Sequence, residues 1–99
     1  MSGEKIWRPV DATGGALDLV LSRVRASVPD AEVSRFVGTH PADDDNVYWV
    51  RRGSLEVQID TREAGSPPFV IESDRSGSVF TTSDAEVAMQ HVLAELRER

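Results

Sequence analysis

Apolar residues near the start of the chain recur at helical spacing. Leu17, Val20, Leu21, Val24 and Val28 fall at i, i+3, i+4, i+7 and i+11, forming one stripe that predicts a helix over 15–27. Asp11 or Thr13 is placed to cap its start. Gly14-Gly15 fits neither phosphate-loop pattern and reads as backbone freedom at the mouth of the helix. Pro29 stops the helix, because it disfavours helical geometry at Val28 and has no N–H to donate. Leu19 lies off the stripe and is either covered by Ile6 and Trp7 or exposed.

Beyond Pro29 the period changes to two. Residues 32–37 predict a strand with Val33, Arg35 and Val37 on one side, and a Gly-, Pro- and Asp-rich loop follows over 38–45. Residues 46–51 hold Val-Tyr-Trp-Val, which suits a pleated surface, and Arg52-Gly53 predicts a tight hairpin turn. The clearest alternation covers 54–61, where Leu55, Val57 and Ile59 oppose Glu56, Gln58 and Asp60. After a loop over 62–68, two shorter strands are predicted at 69–72 and 78–81, separated by a Ser76-Gly77 turn.

A second helix opens at Ser83-Asp84-Ala85-Glu86. This is a capping-box pattern in which Ser83 and Glu86 each satisfy an orphan N–H, and Asp84 suits the positive end of the helix dipole. Ala85, Ala88, Met89, Val92, Leu93 and Leu96 form its apolar stripe. The order is thus helix, four or five mainly antiparallel strands, helix. The expected fold is α+β, a two-layer sandwich with both helices on one sheet face, in one domain over 1–99 with 1–13 as a partly ordered N-terminal extension. On the strand at 46–51, Trp49 shares parity with Val47 and is assigned to the core. Tyr48, with Arg52 at the same parity, is then expected on the opposite, solvated face beside Glu56, Gln58, Asp60 and Glu72.

Composition narrows the classes of function. The 99 residues contain no cysteine, which excludes disulfides, thiolate metal sites and cysteine nucleophiles. No stretch approaches 18 consecutive apolar residues and no signal-peptide h-region is visible, so the expected location is the cytoplasm, with no membrane association. Ten of eleven basic residues are Arg, a bias expected of a high-GC, bacterial genome. The net charge of −6 argues against nucleic acid as a partner, because phosphates need a basic stripe. The charge is also uneven. Residues 30–74 hold ten acids against four bases, whereas the two flanks balance at seven of each. An acidic surface of this kind either keeps a small domain soluble or steers a basic partner.

No chemical motif is complete. Asp43-Asp44-Asp45-Asn46 offers hard-cation ligands but lacks the alternating ligands, Gly and distal Glu of a calcium loop. His40 and His91 are isolated from each other and from any G-x-S-x-G elbow. Neither a metal nor a cofactor is expected, and a self-contained enzyme is disfavoured.

At Gly65-Ser-Pro-Pro-Phe-Val-Ile-Glu and Thr82-Ser-Asp-Ala-Glu-Val-Ala the chain resembles small actinobacterial α+β proteins, some of which are immunity proteins of polymorphic toxin systems. The resemblance covers the C-terminal half and implies an acidic inhibitor that masks a toxin domain. The expected function is therefore a non-enzymatic binding protein that engages a basic protein partner through Asp43, Asp44, Asp45, Tyr48, Arg52, Glu56, Asp60 and Glu72. The alternative is a small-ligand-binding or catalytic domain whose site forms only in a homodimer joined through an edge strand.

Overall fold

A computed structural model describes residues 3–37, 46–74, 77 and 79–97. The fold is α+β, with two helices and a six-stranded antiparallel sheet whose strands lie in chain order. The strands are β1 (Gly3–Ile6), β2 (Glu32–Val37), β3 (Val47–Arg52), β4 (Leu55–Arg62), β5 (Ser66–Ser73) and β6 (Val79–Thr82). The helices are α1 (Leu17–Ser27) and α2 (Ala85–Glu95). Short 3-10 turns occupy Pro9–Asp11 and Glu63–Gly65.

The sheet has six strands where four or five were expected. The additional one, β1, lies in the segment read as an N-terminal extension. Its Gly-Glu-Lys-Ile carries little strand propensity of its own, and it forms by pairing with β2, with Gly3 opposite Val37 and Ile6 opposite Ser34. The next residue, Trp7, is fully buried, and its N–H bonds to the Val33 carbonyl at 2.9 Å. Leu19 is half exposed, so the N-terminal segment does not cover it. β5 starts earlier than expected. Pro67 and Pro68 precede Phe69, the first residue paired with β6, so their missing N–H groups interrupt no β5–β6 pairing.

One set of alternating strand residues, Val33, Tyr48, Val50, Val57, Ile59, Phe69 and Ile71, is buried in a single apolar cluster. Leu17, Val20, Leu21 and Val24 of α1 join it, as do Ala88 and Val92 of α2 and the following Leu96. Both predicted helical stripes are therefore the buried ones.

The start of α1 is built differently from a simple cap. Its N-cap residue, Ala16, has no side-chain acceptor. The carboxylate of Asp18 reaches back instead, accepting at 2.8 Å from the Thr13 N–H, the Thr13 hydroxyl and the Gly14 N–H. Gly15 is required by packing, because a Cβ there would stand 2.2 Å from the Ala64 carbonyl oxygen. At α2 the cap is shifted by one residue from the expected box. Asp84, not Ser83, occupies the N-cap, and its carboxylate accepts from the Val87 N–H at 3.1 Å.

Candidate functional site

The β3–β4 hairpin sets the face of every residue on both strands. A two-residue turn at Gly53-Ser54, with φ +58° at Gly53, puts Arg52 opposite Leu55, Val50 opposite Val57 and Tyr48 opposite Ile59. Residues directly opposite share a face. Tyr48 therefore lies with Ile59 in the core at 2% exposure. Trp49 lies opposite Gln58 on the other face and is only half-buried. The expected orientation of this pair is reversed. Val-Tyr-Trp-Val has a valine at each parity, so Val47 alone could not mark the inward side, whereas the alternation of Leu55, Val57 and Ile59 read through a two-residue turn does.

Tyr48 is consequently not available as a surface contact. Arg52 shares its parity and serves the fold. Its guanidinium donates to Asp30 Oδ2 at 3.2 Å and to the Leu96 carbonyl at 3.1 Å, tying the C-terminal end of α2 to β3. Glu56, Asp60 and Glu72 do lie together on the outer face, as expected. Asp43, Asp44 and Asp45 lie outside the described residues, as does His40.

The outer face has a regular layout. One cross-strand row runs Ile6, Ser34, Trp49, Gln58, Glu72, Val79 across all six strands. A second runs Glu32, Arg51, Glu56 across β2, β3 and β4. Trp49 is held from several sides. Its Nε1 donates to Gln58 Oε1 at 3.2 Å, and Gln58 Nε2 donates onward to Asp60 Oδ1 at 3.0 Å. Phe36 meets the indole edge-on at a ring distance of 6.5 Å, and the Arg51 guanidinium lies 5.7 Å from its centroid.

Arg51 is the centre of a polar network that the sequence reading missed. It donates to Glu56 Oε1 at 2.7 Å and to Glu4, and the buried Ser34 hydroxyl also donates to Glu4. The Ser34 hydroxyl and Arg51 hold the Glu4 carboxyl below the usual carboxylate range against the opposing effect of desolvation. Desolvation works against the Arg51 charge, and the bonds to Glu4 and Glu56 outweigh it, raising its pKa. The four residues come from β1, β2, β3 and β4, and Glu4 and Arg51 are 47 positions apart. No local spacing signals such a cluster.

Beside this network lies a depression of about 370 Å³ lined by Glu56, Gln58, Glu72, Ser73, Asp74, Gly77 and Val79. Among the described residues, no three His, Asp or Glu side chains converge as a metal site, and no helix is long and apolar enough to cross a membrane. No family model, curated protein or solved structure matches the chain.

Proposed function

We propose that this chain is a non-enzymatic binding protein whose outer sheet face engages a basic protein partner. The reading takes the fold as two layers, with both helices on the core side and the outer face left open to a partner. The observation that carries it is the composition of that face. Among the described residues, Glu4, Glu32, Glu56, Asp60 and Glu72 stand on that face against two arginines: Arg51, which is already bonded to Glu4 and Glu56, and Arg62 at the end of β4. At its centre a half-buried tryptophan is braced by Phe36 and Arg51. Trp and Arg surrounded by polar groups are the residues that carry most binding energy at protein interfaces, and the surplus of carboxylates favours a positively charged partner and suppresses acidic ones. Masking a toxin domain, the role implied by the resemblance at 65–72 and 82–88, is the most concrete form of this activity.

The test is co-purification from the native host, followed by affinity measurement on the purified partner. The expected partner is basic. Trp49→Ala is expected to weaken binding by at least about tenfold, the ~1.4 kcal/mol or more that a hot-spot residue carries. The double variant Asp60→Asn, Glu72→Gln is expected to flatten the salt dependence of association. A partner that is acidic, or one that binds wild type and both variants equally, removes this face from consideration.

A further inference from the structure

The two edges of the sheet are not alike. The β1 edge carries Glu4 and Lys5 in succession, and Glu4 is fastened to Ser34 and Arg51. Charged residues on an edge discourage pairing with another strand. The β6 edge is Val79-Phe80-Thr81-Thr82, four β-branched or aromatic residues with no charge and no proline. Among the described residues no strand pairs with its outer side. Apolar surface continues on both sides of this edge. Val79 is 60% exposed on the outer face. On the core side Phe80 stacks on His91 of α2, with ring centroids 4.3 Å apart. Val87, one helical turn before His91 and on the same stripe, is 41% exposed.

We infer that β6 and the adjoining flank of α2 form a homodimer interface, with two sheets joined edge to edge into one of twelve strands. A second copy is the occupant the chemistry favours. An open strand edge is completed by another strand, and a basic segment would find no charge on β6 to answer its own, whereas Val-Phe-Thr-Thr is self-complementary. The symmetry also limits the register. Directly opposed residues in an antiparallel pair share a face, so a two-fold axis normal to the sheet pairs residues of like parity, and the register that sets apolar against apolar places Phe80 against Phe80 of its partner, with Val79 against Thr81. A four-residue edge is too small for a stable interface of roughly 1,200–2,000 Å² in total, so α2 must contribute through Val87 and His91. This surface lies at the end of the sheet and does not rest on the basic-partner reading.

Sedimentation of the intact chain over a concentration series tests the inference. The series extends to about 1 mM, where an association of only ~4 kcal/mol is half-populated. Two variants accompany it, with circular dichroism confirming that each is folded. Thr81→Lys places a charge on the exposed side of the edge, and Val87→Glu places one on the α2 flank. The expected result is a concentration-dependent dimer whose dissociation constant rises at least about tenfold in each variant, a loss of ~1.4 kcal/mol or more. A wild-type chain that stays monomeric throughout the series overturns the proposal. So does a dimer whose constant is the same in wild type and both variants.

Discussion

Truncating Tyr48 and Trp49 separately to alanine measures which of these neighbours belongs to the core. Tyr48 is 2% exposed and lies among Arg35, Ile59 and the helix-side cluster. A tyrosine buries at least about 150 Å² of side chain, worth ~4 kcal/mol at ~25 cal/mol per Å². The cavity left in a close-packed interior keeps the expected loss at about 3–5 kcal/mol. Trp49 is larger but only half-buried and lies on the open face, so its removal leaves no enclosed cavity; it costs the hydrogen bond to Gln58, the contacts with Phe36 and Arg51 and the apolar area they cover. That amounts to about 2–3 kcal/mol. Urea unfolding followed by circular dichroism reads both values. In thermal unfolding the difference of ~1–2 kcal/mol corresponds to a gap of at least about 4 °C for a domain of this size. The larger ring must have the smaller effect. Equal losses, or a greater loss from Trp49→Ala, would falsify the assigned faces of β3 and, with them, the outer-face binding surface.

Three further outcomes follow from local geometry. Asp84→Ala should destabilise the chain by about 1 kcal/mol through loss of the N-cap bond to Val87, while Ser83→Ala should stay within about 0.5 kcal/mol; the reverse order in chemical denaturation would restore Ser83 as the cap. Gly15→Ala drives a Cβ into the Ala64 carbonyl and should cost at least about 1–3 kcal/mol, so an unchanged midpoint would contradict the close approach of the two segments. The folded pKa of Glu4 lies below its ordinary value of 4.5, so its contribution to stability is complete above that pH and is lost as pH falls through the folded value. Glu4→Gln should flatten the stability profile in that acidic window and leave its shape near neutrality unchanged, which denaturation across a pH series reads directly.

Much of the architecture was legible because its causes are local. The stripe of Leu17, Val20, Leu21 and Val24 and that of Ala88, Val92 and Leu96 repeat at the helical period, and both are buried. The alternation over β4 and the two-residue turn at Gly53-Ser54 contain enough information to orient β3 as well. Parity within β3 alone does not tell Tyr48 from Trp49, because Val47 and Val50 lie on opposite faces; carried across the hairpin, parity puts Tyr48 beside Ile59. Of the expected contact residues, Glu56, Asp60 and Glu72 share the outer face because two strands of clear period place them there.

The rest depended on contacts between distant segments. Nothing in Gly-Glu-Lys-Ile marks a strand; β1 exists because β2 has an edge to complete and Trp7 has a core to enter. Ser34 reads as an ordinary polar strand residue until Glu4 and Arg51 converge on its hydroxyl from two other strands. Arg52 reads as a surface charge until the end of α2 arrives beside it. Periodicity along the chain reports which side of an element is apolar. Which polar groups meet and which edge stays open are set by contacts between segments remote along the chain. The sequence therefore determined the helices, the β4 alternation and the acidic middle segment, whereas only the tertiary structure decided that the acids would be gathered around Trp49.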